Sequence, residues 1–249
     1  MTSKVNETIE LESKSRIKNL ILIGIVCSVF IIILTILDIV IGTILGGDLN
    51  TIPEAAIDRF NQLQTNPWLG LYYLDVLNMV TSILMIPVFL SMVMIQRKTN
   101  KGILYLSMFV FIIGTTIFIN NNAGLAMLGL SKKYMTALAS QKDFIIAAGE
   151  SLLIKGAHGS MGAFIGFVLS MVATMLMSIS MIQSNIFGKI TGWIGLGGSS
   201  LLLVYLILVT FVPSTESIAM ALAAPGGILS LAWMILYTLK MIRTLNSME

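Results

Sequence analysis

Six stretches of this 249-residue chain are apolar for long enough to cross a bilayer core, which takes about 20 residues of helix. They cover 20–45, 68–95, 102–122, 157–182, 190–212 and 218–242. Inside hydrocarbon every backbone N–H and C=O must be paired within the chain, so each stretch is expected as a helix. The sequence therefore predicts an all-α, polytopic membrane bundle of six spans forming one domain over 20–243, with polar tails at 1–19 and 244–249. Composition agrees, because 11% of the residues are charged against roughly a quarter in a soluble domain. A water-soluble globule is excluded. The first run is longer than a signal-peptide core of roughly 7–15 residues and no small-residue cleavage site follows it, so it reads as a retained helix.

Charge placement sets the expected orientation. With both termini inside, the cytoplasmic flanks hold Lys4, Lys14, Arg16, Lys18, Arg97, Lys98, Lys101, Lys189, Lys240 and Arg243, while the other face holds Arg59, Lys132, Lys133, Lys142 and Lys155. That asymmetry predicts an N-in, C-in topology. A net charge of +3 is too small to point to nucleic acid. Cys27 is the single cysteine, so no disulfide forms within the chain and no cysteine cluster holds a metal.

Two larger connections fall on the outer face. Pro53 to Phe60 has a proline and acids early in the segment, which favours a short helix. The 131–156 segment spaces Met135, Leu138, Phe144, Ile145, Leu152 and Leu153 loosely at helical intervals among charges. Both are expected as extracytoplasmic amphipathic helices lying over the bundle.

Two carboxylates interrupt the apolar runs. An aspartate at a helix centre costs about 2.5–3.5 kcal/mol on insertion scales, so each needs a reason to be there. Asp38 shares a helical face with Gly24, Ser28, Thr35 and Gly42, and Asp75 shares one with Asn78 and Ser82. The two helices run in opposite senses, which brings both carboxylates to a similar depth near the outer side. The third span reaches Asn120-Asn121-Asn122 at that level, and His158 leads the fourth. The expectation is an outward-facing polar site in which Asp38 and Asp75 bind a cation or proton, with Asn78, Asn120, Asn121 and His158 as neutral ligands. Two close carboxylates in a low dielectric share a proton rather than both ionise.

Other features point to packing. Gly162 and Gly166, and the group Gly192, Gly195, Gly197 and Gly198, permit close helix approach. The 17 methionines read as flexible apolar filler. Pro87 and Pro225-Gly226-Gly227 are places where a helix can bend. The chain contains no H-E-x-x-H, G-x-S-x-G, Walker or Rossmann pattern, so no catalytic residue, cofactor or particular metal is assigned. The leading function is a small transporter or cation- or proton-binding membrane protein. The alternatives are a structural or regulatory subunit binding a membrane partner, a lipid or a second copy of itself, and then an intramembrane enzyme. The bilayer itself and a small ion or polar solute are the expected partners.

Six spans in about 250 residues, Pro225-Gly226-Gly227-Ile228-Leu229 leading into Leu231-Ala232-Trp233, and the basic end at Lys240 and Arg243 form a pattern. From Arg16 onward it resembles a prokaryotic family catalogued only as a domain of unknown function. That resemblance implies a six-helix protein of the plasma membrane and supplies no activity, so the roles given to Asp38 and Asp75 rest on the residues alone.

Overall fold

The computed structural model describes residues 2–44, 53–99, 101–157, 160–212 and 214–248. Ten helices follow in order among them: α1 (Thr2–Ile44), α2 (Ala56–Thr65), α3 (Pro67–Tyr72), α4 (Val76–Gln96), α5 (Lys101–Asn121), α6 (Gly124–Thr136), α7 (Ala139–Gly156), α8 (Met161–Ser184), α9 (Lys189–Phe211) and α10 (Glu216–Asn246). Six of these segments are long and apolar enough to cross a membrane, so the chain is an integral membrane protein. Three boundaries depart from the sequence reading, one of them because α10 continues through Asn246 into the expected C-terminal tail. The N-terminal tail continues the first span as helix from Thr2. The second run, 68–95, is broken: α3 stops at Tyr72 and α4 begins at Val76.

That break has identifiable causes. Pro67 opens α3, and the Asn66 side chain accepts from the Leu69 N–H at 3.2 Å, the arrangement in which a short helix starts well. Asp75 then takes a left-handed backbone with φ 57°, a conformation that Asp adopts more readily than most residues. The third run breaks at the same level, between α5 and α6. Asn122 holds the two breaks together, since its Nδ2 donates to the Leu74 carbonyl at 2.8 Å and its Oδ1 accepts from the Gly124 N–H at 3.0 Å.

The spanning helices form a closed ring in chain order, α1, α4, α5, α8, α9 and α10, with α10 returning to α1. Neighbours run antiparallel. Ser91 donates to the Leu20 carbonyl while Tyr72 reaches the Asp38 carbonyl, and Ser107 donates to Ala173 while Asn121 reaches Gly162. Lipid offers little hydrophobic drive for helix association, so such contacts depend on small residues and buried hydroxyls. The α5–α8 crossing shows this best: a Cβ at Gly166 would lie 2.7 Å from the Phe118 Cβ and 3.0 Å from its backbone N. Ser28 and Thr238 close the ring by a hydroxyl pair between α1 and α10.

One mouth of the ring is covered. Helices α2, α3, α6 and α7 pack around Phe60, Leu63, Leu74, Met127 and Leu153, a second apolar core distinct from that of the bundle. Ala55 precedes α2 and has no side chain able to cap it, so Glu150 of α7 accepts from the Ala56 N–H at 2.6 Å. A carboxylate there also complements the positive helix end. At the opposite end the bundle is filled by Phe89, Met92, Met177, Met181 and Tyr237.

Candidate functional site

Between the cap and that packed end, the ring holds a partly open cavity of about 260 Å³. Its polar lining comes from all but one of the six spanning helices: Thr35 and Asp38 from α1, Asn78, Thr81 and Ser82 from α4, Ser170 and Thr174 from α8, Ser199 from α9 and Ser230 from α10. Its apolar walls include Met85, Phe111, Phe167, Met171 and Trp233. The floor is an aromatic layer, with Phe89 stacked on Phe111 at 4.2 Å and Trp233 edge-on to Tyr237 at 4.7 Å. Gly195 allows that layer to close against α9, because a Cβ there would lie 2.5 Å from Trp233 Nε1.

Most of the lining hydroxyls have already committed their protons. Thr81 and Ser82 donate to the Asn78 carbonyl at 3.0 and 2.8 Å, Ser170 to Gly166 at 3.0 Å, Thr174 to Ser170 at 3.0 Å, and Ser199 to Gly195 at 2.7 Å. Back-bonding of this kind is the usual resting state of Ser and Thr within a helix. It leaves oxygen lone pairs, rather than O–H donors, for anything in the cavity. Asn78 behaves likewise, since its Nδ2 donates to Asp75 Oδ1 at 2.9 Å and its carbonyl oxygen remains an acceptor. Together with the Asp38 carboxylate, the cavity is rich in acceptors.

The rim toward the cap is charged. Tyr72 of α3 donates to the Asp38 carbonyl at 3.3 Å. Burial raises the Tyr72 phenol above its ordinary pKa, and the nearby Asp38 charge adds to that shift. Arg59 of α2 is 5% exposed, its guanidinium reaches Gln62 at 3.4 Å, and its Nε has no hydrogen-bond partner. Burial lowers the Arg59 pKa, and the negative charge of Asp75 opposes that shift. Asp75 is therefore the point where the cap, the helix break and the cavity lining meet.

The sequence-predicted residues separate accordingly. Asp38 and Asn78 line the cavity, and Asp75 stands behind them as the hydrogen-bond acceptor of Asn78. Asn121 donates to the Gly162 carbonyl of α8 at 3.2 Å and joins two helices. Asn120 is exposed, and His158 lies outside the described residues. Thr81, Thr174, Ser199 and Ser230 line the cavity although the sequence does not single them out. A hint was available in the recurrence of small polar residues four apart, Asn78 with Ser82 and Ser170 with Thr174, each pair falling on one helical face. Asn122, like Asn121 and unlike the exposed Asn120, makes hydrogen bonds between elements. Among the described residues no group of three or more His, Cys, Asp or Glu is placed to hold a metal ion.

A sequence model of the family described as Domain of unknown function (DUF4386) matches residues 20–237. No curated protein and no solved structure matches the chain.

Proposed function

The chain belongs to this family of unknown function, and from its geometry we propose a membrane protein that binds, and in the manner of a small transporter carries, a cation or protonated solute through a site within the bundle. The observation that carries the reading is the acceptor-lined cavity, with Asp38 in its wall and Asp75 one hydrogen bond behind it. A carboxylate at membrane depth is costly, and where it borders an internal cavity it generally marks an ion or proton path. The left-handed backbone at Asp75 supports the reading, because strained non-glycine residues cluster at functional sites. The ten basic residues of the flanks opposite the cap favour the cytoplasm of a cell membrane for that end, with the cap and the cavity rim facing outward.

The test is thermal stability of the detergent-purified protein across pH and across Na⁺, Ca²⁺ and Zn²⁺ concentrations, beside an Asp38→Asn/Asp75→Asn double variant. A ligand that binds only the folded state raises the melting temperature by mass action. The expected result is a rise with one cation, or with protons, that the double variant lacks. Identical flat responses from both proteins sink the reading and leave a structural subunit as the better description.

A further inference from the structure

The geometry points to a small protonated organic amine, with an apolar or aromatic body, as the occupant of this cavity. The inference rests on the cation-site reading above and narrows it to a ligand class.

Three properties of the lining select that class. First, the hydroxyls of Thr81, Ser82, Ser170, Thr174 and Ser199 spend their protons on backbone carbonyls, so these five offer acceptors to the cavity. An anion meets the unpartnered Trp233 indole N–H but no cationic side chain in the lining, and it faces the Asp38 carboxylate, whereas an ammonium brings up to three donors of its own. Charge-assisted bonds of this kind are about twice as strong as neutral ones.

Second, the space is wrong for a bare metal ion. Calcium takes 6–8 oxygens at 2.3–2.6 Å, and no cluster of three acidic or imidazole ligands stands among the described residues. A cavity of about 260 Å³ is many times the roughly 30 Å³ share of one water molecule. It falls just under the approximately 300 Å³ at which drug-sized pockets begin, so a metabolite-sized body fits.

Third, the part of the wall away from Asp38 is aromatic and thioether. Phe111, Phe167 and Trp233 with Met85 and Met171 suit an apolar or aromatic body, and the aromatic rings tolerate a nearby cation. A head at Asp38 and Asn78 with a body against these walls satisfies both ends at once. Such an arrangement favours a primary or secondary amine over its quaternary analogue, which carries the charge without N–H donors.

The experiment measures melting temperature and apparent Kd in detergent against four probes: phenethylamine, its N,N,N-trimethyl analogue, phenylpropionate and NaCl. Three proteins are compared: wild type, Asp38→Asn and Gly227→Leu. Gly227 lines the cavity, and a Cβ at that position would meet nothing within 4 Å, so a leucine there fills space without touching the carboxylates. Stabilisation by phenethylamine, at least roughly tenfold weaker for the trimethyl analogue and lost in both variants, is the expected result. Stabilisation of wild type and Gly227→Leu by NaCl alone overturns the amine inference and keeps the cation site. Equal response to phenylpropionate, or an amine response that Gly227→Leu retains, also overturns it. Should Asp38→Asn fail to fold, the Gly227→Leu comparison decides alone.

Discussion

The same six helices build two unlike halves. Toward the basic end, side chains meet on the axis of the ring: Phe89, Met92, Met177, Met181 and Tyr237 fill the centre. The buried Gln96 there is fully occupied, accepting from Ser180 at 3.3 Å and Ser184 at 2.9 Å while its amide donates to the Met92 carbonyl at 3.4 Å. Toward the cap the helices break at Asp75 and Asn122, and polar atoms face a cavity instead of one another. A buried polar group that is satisfied adds definition to a core, whereas acceptors facing open space are kept at a cost in stability. The packed half is thus closed on its axis and the capped half holds the cavity, with the aromatic layer as the boundary between them.

The largest effect that tests this division comes from the floor. Truncating a buried Phe typically removes 3–5 kcal/mol of stability, and Phe89→Ala is expected to lose about that much because the side chain is fully buried against Phe111. Asp38→Asn, on the cavity wall, is expected to change stability by less than about 1 kcal/mol or to raise it, since an amide costs less than a carboxylate at membrane depth. Denaturation of the two variants in detergent checks the contrast. If Asp38→Asn unfolds as readily as Phe89→Ala, the capped half is structural and the comparison fails.

Next in size is the network that plugs the basic end. Gln96→Leu keeps the volume but removes the acceptor shared by Ser180 and Ser184. The expected loss is about 1–3 kcal/mol, the cost of leaving buried polar groups unpaired. A neutral outcome would show that the two hydroxyls turn back to their own helix without penalty, and would make the packing of that end a matter of apolar contacts alone. Measuring Gln96→Ala beside it separates the polar loss from the lost volume.

Much of this fold was legible in the sequence and much of the site was not, for different reasons. Hydropathy marks spans because a bilayer imposes their length, and the break after the third span was legible from three consecutive asparagines. The break at Asp75 was not, because residues 68–95 read as one apolar run in which a single aspartate does not announce a left-handed turn between two helices. Asp38, Asp75 and Asn78 stood out as polar residues in apolar runs, and the structure brings them together. Thr174, Ser199 and Ser230 did not, because serine and threonine can satisfy themselves against their own helix and occur on any face. Their convergence depends on the ring closing α10 against α1, a contact between residues 210 positions apart.

The smallest effect concerns the rim, and its sign follows from linkage. Burial and the Asp38 charge raise the Tyr72 phenol in the folded chain above the ordinary value of 10.0. Between that value and the raised one the folded state holds a proton that the unfolded state has released, so stability falls as pH rises there. Below pH of about 10 the phenol is neutral in both states and contributes no slope. Tyr72→Phe removes the titrating group together with its bond to the Asp38 carbonyl. The variant is expected to be slightly less stable at neutral pH, by no more than the roughly 0.5–1.5 kcal/mol of one hydrogen bond, yet to lose less on passing to alkaline pH. Melting temperatures of both proteins across that range show the slopes directly. Parallel slopes would mean that Tyr72 meets water at the rim, so that the cap leaves the cavity mouth open; converging slopes mean that α3 shields the mouth and keeps the Tyr72 contact with α1 away from water.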